Sequence, residues 1–71
     1  MPRYFFHVRR GQVTILDQEG SELTDIAAAE HEAARRAQEI VTANRLRGTT
    51  ASKGAIIVSD ENWQTVFEVP F

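Results

Sequence analysis

The hydrophobic and polar positions change rhythm several times along the chain, and each change marks an element. In "RYFFHVR", Arg3 to Arg9, side chains alternate at period two. Tyr4, Phe6 and Val8 point one way, and Phe5, His7 and Arg9 the other. That spacing predicts a strand. Gly11 supplies a turn, and "QVTIL" repeats the rhythm with Val13 and Ile15 on one face. So short a separation predicts an antiparallel hairpin. The polar run "DQEGSELTD", with Gly20 inside it, reads as a loop.

From Ile26 to about Arg47 the period becomes helical. Ile26, Ala29, Ala33, Ala37, Ile40, Val41 and Asn44 fall on one face, while Glu32, Arg35, Arg36 and Glu39 fall elsewhere. Glu32 and Arg36 stand at a supportive i,i+4 spacing. Asp25 (or Thr24) suits the N-cap, where a side-chain oxygen accepts backbone N–H groups that the first turn leaves open. Arg45 and Arg47 suit the negative end of the helix dipole, and Gly48 suits a left-handed C-cap. "GTTASKG" then reads as a connection and "AIIVS" as a buried strand. "DEN" turns the chain into "WQTVFEV", whose alternation sets Trp63, Thr65, Phe67 and Val69 on one side, before Pro70 closes the strand.

These elements predict an α+β fold of ββαββ order in a single domain, residues 1–71. One helix packs on one face of a small, mostly antiparallel four-stranded sheet. If every neighbouring pair is antiparallel, the predicted strands take the order second, first, third, fourth. The alanine seam of the helix would then approach closely over Tyr4, Phe6, Trp63 and Phe67.

Composition narrows what such a domain does. The chain has 71 residues, no cysteine and two histidines, His7 and His31. Disulfides and cysteine-built zinc sites are excluded. A core this small rarely supplies more than about 3–5 kcal/mol, so self-association is the stabilising device that remains. The net charge of −2 lacks the basic excess usual in nucleic-acid-binding domains. No apolar run approaches the ~18–20 residues that span a membrane. "YFF" is interrupted too soon by His7 and Arg9 to serve as a signal peptide, and the cytoplasm is the expected location.

Candidate chemistry adds little. Asp17, Glu19, Glu22 and Asp25 invite a calcium loop, but its sixth position, counted from Asp17, would have to be glycine and is Glu22. Asp25 is assigned to the helix cap and the other three to solvent. "HEAAR" at His31 resembles a zinc-protease helix, yet Arg35 stands where the second histidine must be. No nucleophile elbow or phosphate-binding glycine loop occurs. No catalytic, cofactor-binding or metal residue is therefore assigned, no cofactor is expected, and the chain is not expected to be an enzyme.

What remains is the sheet face turned away from the helix. Phe5, His7 and Arg9 are expected there, with Thr14, Leu16, Ile57, Val66 and Glu68 from neighbouring strands. A half-apolar face on so small a protein suits a protein contact. Phe5, His7, Arg9, Ile57 and Val66 are the candidate contact residues, and the partner is a second copy or another small protein. The alternative is a weak nucleic-acid binder, with aromatic stacking on the sheet and His7, Arg9, Arg10 and Lys53 toward phosphates. That reading lacks the glycine–aromatic signature of sheet-based RNA binders.

The opening "MPRYFFHVRRG", the segments "DQEGSEL" and "TDIAAAEHEAARRA", and the closing "VFEVPF" together resemble a family of short uncharacterised proteins from soil and root-associated alphaproteobacteria. That family is classed only as a domain of unknown function. The likeness runs over essentially the whole chain. It implies a one-domain protein and transfers no catalytic or binding residue. Relatives often carry Asp where this chain has Arg10 and Gly where it has Trp63, the latter at the second hairpin turn.

Overall fold

Strand β1, Arg3–Arg10, is the spine of the sheet in this computed structural model, which describes residues 2–46 and 54–71. Its sequence fits a central position, because the "YFFHV" run is buried on both faces. One edge of β1 pairs antiparallel with β4, Gly54–Ser59, from Phe5 opposite Ser59 to Arg10 opposite Gly54. The other edge pairs antiparallel with β2, Val13–Ile15, from Val8 opposite Ile15 to Arg10 opposite Val13. Strand β5, Thr65–Pro70, lies antiparallel on the far side of β4, so the order is β2-β1-β4-β5, as the sequence predicts. Two residues, Gly11 and Gln12, join β1 to β2. A φ of 59° at Gly11, followed by a negative φ, is the type II′ pattern whose twist matches the flanking strands.

A fifth strand was not expected. Ser21–Glu22, β3, lies in the predicted loop and pairs antiparallel with the start of β1, Arg3 opposite Glu22 and Tyr4 opposite Ser21. Two residues have no period to read. What recruits them is the edge of β1 beyond the reach of β2, whose backbone groups need partners.

Helix α1, Ile26–Leu46, starts where expected: Asp25 Oδ1 accepts the Ala28 N–H at 2.8 Å. Ala29, Ala33 and Ala37 are buried in one core with Tyr4, Phe6, Ile56 and Val58, with Leu23, Ile40, Phe67, Val69 and Phe71 packed around it. The helix backbone approaches β4 and β5. Methyl side chains permit that approach, and the aromatic rings of β1 fill the remaining volume. Arg36 lays its guanidinium 4.3 Å from the centre of the Phe6 ring while pairing with Glu32 at 2.7 Å. Arg35 hydrogen-bonds the same Glu32 carboxylate and also pairs with Glu39. The Arg35 hydrogen bonds, joined by the one from Arg36 and by both charges and outweighing partial burial, lower the Glu32 pKa to about 2.

One side chain of the predicted helix seam lies differently, and a leucine outside the seam shares its exposure. Ile26 is exposed in the first turn, and Leu46 is exposed in the last. Twenty-one residues make a helix of about 31 Å, whereas a six-residue strand spans about 20 Å, so α1 overhangs the sheet. Arg47, Gly48, Lys53 and the rest of the connection between α1 and β4, residues 47–53, lie outside the described residues.

The last strand departs from simple alternation. A register shift between Val58 and Ser59 brings Phe67 opposite Val58 but Thr65 opposite Ser59, leaving Val66 as the extra residue of a β-bulge. Ser59 sits opposite Phe5, so Thr65 shares the outer face with Phe5, and Trp63 continues it. Val66 is turned toward the core instead. The expected sides of Trp63, Thr65 and Val66 are thus all reversed by one inserted residue.

Candidate functional site

The outer face begins as a gap in β1. Between the stretches paired with β2 and β3, the backbone N–H of Phe6 has no strand partner, and Asp17 takes that place. Its Oδ2 accepts the Phe6 N–H at 3.1 Å, and its Oδ1 accepts the N–H groups of Glu19 and Gly20, each at 3.1 Å. Burial by itself would push this carboxyl up. The N–H groups of Phe6, Gly20 and Glu19, with the Arg36 charge, outweigh it and hold the group below its ordinary 3.8. The Asp17 N–H in turn donates to His7 Nδ1 at 3.0 Å, which leaves the imidazole proton on Nε2. Asp17 is therefore a structural latch, and its expected assignment to solvent is corrected.

Trp63 completes the cover. It is a non-glycine residue at φ 63°, in a turn where Asp60 Oδ1 accepts the N–H groups of Asn62 and Gln64. Its indole lies 4.6 Å from the Phe5 ring and 5.8 Å from that of His7, nearly parallel to both. Gly20 closes the other side of Phe5. Its φ is 73°, and a Cβ there would stand 2.9 Å from Phe5 Cε1 and 2.8 Å from Arg3 Cγ.

Phe5 and His7 are consequently 8% and 5% exposed, where the sequence had placed them on an open surface. Alternation assigned their side of the sheet correctly but not what covers it. Val66 has left that face through the bulge. Ile57, half-buried, and Arg9, exposed, remain there, and Arg9 pairs with Glu68 at 3.5 Å. Of the four residues named for phosphate contact, His7 is enclosed, Arg9 is paired and Lys53 lies outside the described residues. Of the three that are described, Arg10 alone has an exposed side chain with no partner among the described residues.

Trp63 itself stays 60% exposed over Phe5, and a second open apolar surface lies at the β2 edge. Val13, Ile15 and Leu16 are 64%, 62% and 61% exposed, on or next to edge strand β2. Ile15 stands opposite Val8, which packs against the core, so Ile15 and Val13 lie on the helix side of the sheet. They extend beyond the area that α1 covers. In the sequence Val13 and Ile15 read only as a strand signal. Their alternation could have marked them as exposed only if the position of the helix over the sheet were known.

Two concavities are less suited to binding. One runs along the outer side of α1 from His31 to Leu46, where Arg35 is already paired. The other lies between Arg3, Tyr4 and the Asp60–Asn62 turn. There Glu61 Oε1 already accepts the Arg3 N–H at 2.8 Å. Among the described residues no group of three or more His, Asp or Glu side chains is placed to hold a metal ion. No helix among them is long and apolar enough to cross a membrane.

A family model described as a domain of unknown function matches residues 3–71. Neither a curated protein nor a solved structure matches the chain.

Proposed function

Since the chain belongs to the DUF6894 family, a domain of unknown function, its role has to be argued from its own surface, and we propose that it is a non-catalytic interaction module that associates with itself through the β2 edge. The observation that carries this reading is the exposure of Val13 and Ile15 on one face of β2 and of Leu16 just beyond it on the other, each more than half exposed at one sheet edge. Unpaired edges with exposed apolar side chains recruit further strands, and proteins that avoid this place charges, prolines or bulges on them. β5 carries such features, with Glu68, Pro70 and the bulge at Val66. β2, reading Val-Thr-Ile, carries none. The proposed contact is thus the β2 edge in place of the expected Phe5, His7, Arg9, Ile57 and Val66.

The energetics suit a reversible contact. Burying the exposed part of each of these side chains contributes about 1–2 kcal/mol. Two copies therefore gain roughly 6–12 kcal/mol, against an association cost of about 4–15 kcal/mol. Light scattering across a concentration series tests the proposal. The parent should gain mass as concentration rises, and the Ile15→Lys variant should remain monomeric. A parent that stays monomeric into the millimolar range overturns it.

A further inference from the structure

The hairpin geometry goes further than the exposed apolar patch, because it specifies which way two copies pair. In a two-residue hairpin the closing pair, Arg10 and Val13, exchanges hydrogen bonds, and bonded pairs then alternate along the ladder. The backbone N–H and C=O of Val13 and Ile15 therefore point toward β1. Those of Thr14, and of the flanking Gln12 and Leu16, point to the open edge, where β2 has no neighbour among the described residues.

We infer that two copies join antiparallel through β2 about a twofold axis at Thr14, forming one continuous sheet with four strands from each copy; this rests on the self-association proposed above. The sequence is self-complementary in that register. Thr14 faces Thr14 of the second copy and exchanges both backbone hydrogen bonds with it. Val13 faces the second copy's Ile15, and Ile15 its Val13, so four β-branched side chains meet on the helix side next to both Val8 residues. On the opposite side Leu16 lies across from the second copy's Gln12.

Charge chooses the direction. The Arg10 guanidinium, beside the hairpin tip, makes no hydrogen bond or ion pair among the described residues, and neither does the Glu19 carboxylate. Antiparallel pairing sets each hairpin tip beside the other copy's 17–19 segment, bringing Arg10 toward Glu19. Parallel pairing would set arginines beside arginines and carboxylates beside carboxylates, which is repulsive.

The absence of native cysteine makes the register directly measurable. A Thr14→Cys variant places its thiol opposite the same residue of the second copy. The Cα separation there is about 5.5 Å, inside the range a disulfide bridges. Mild oxidation should convert most of this variant to a covalent dimer with an unchanged circular dichroism spectrum. Thr65→Cys, on the β5 edge, should stay monomeric under the same conditions. Arg10→Glu should weaken association of the reduced protein by about tenfold, since two symmetric contacts become repulsive. Adding Glu19→Arg should restore it. If the parent dimerises but Thr14→Cys does not cross-link, or Thr65→Cys cross-links equally, the register is wrong while self-association stands. Charge reversal without effect also overturns the antiparallel direction. A parent that never dimerises removes both proposals.

Discussion

Replacing Asp17 by alanine removes one carboxylate that serves three backbone N–H groups. The Phe6 N–H lies at a part-buried gap in the central strand, and stranding such a donor costs about 1–3 kcal/mol. Glu19 and Gly20 lie nearer solvent and recover water partners, so their loss adds about 1 kcal/mol together. The His7 ring also loses the loop that fixes its Nδ1 partner. The expected cost is about 2–4 kcal/mol, comparable to the whole stability of about 3–5 kcal/mol that a core of this size supplies. Urea unfolding measures it, with Trp63, the sole tryptophan, as a fluorescence probe stacked on the same cluster. At an m-value of about 1 kcal/mol per molar, Asp17→Ala should move the midpoint by about 2 M or more. Asp17→Asn keeps one acceptor oxygen but turns an amide toward a donor, and should cost about 1–2 kcal/mol. The folded-state carboxyl lies below 3.8, so its stabilisation is complete above that value and fades as the pH falls through the folded-state one. The gap between parent and Asp17→Asn should narrow accordingly below pH 3.8. A midpoint for Asp17→Ala within about 0.5 M of the parent's would refute the latch.

Other perturbations separate strain from packing. At Trp63 a positive φ costs about 1–2 kcal/mol and stacking returns about 0.5–1.5 kcal/mol. Trp63→Gly should therefore melt close to the parent, and Trp63→Ala, which keeps the strain and loses the stack, several degrees lower. Both Gly20 and Gly11 have positive φ, but only at Gly20 does a Cβ meet Arg3 and Phe5. Gly20→Ala should lose about 2–3 kcal/mol and Gly11→Ala about 1 kcal/mol by chemical unfolding. Ile56, fully buried, should lose about 2–5 kcal/mol on truncation to alanine, and a loss under 1 kcal/mol would contradict the assigned core.

The sequence by itself determined the parts of this protein that depend on local period and local chemistry. The alternation of "YFFHV", the alanine spacing of the helix and its Asp25 cap require no knowledge of distant residues, and the structure has them where they were expected. Strand order followed on the condition that every neighbouring pair is antiparallel, because two short hairpins then leave few ways to arrange four strands. The tertiary structure alone decided which surfaces are open. A bulge at Val66 reversed one end of β5, and reversal of the side-chain period by a single residue leaves no local mark in composition. The Asp17 latch closed over His7 because an unpaired strand edge at Phe6, eleven residues away, required a partner, and Trp63 covered Phe5 from the far end of the chain. Val13 and Ile15 stayed exposed because α1 lies over β4 and β5. Whether a hydrophobic side chain is core or contact surface depends on what packs above it, and that is set by contacts between elements far apart along the chain.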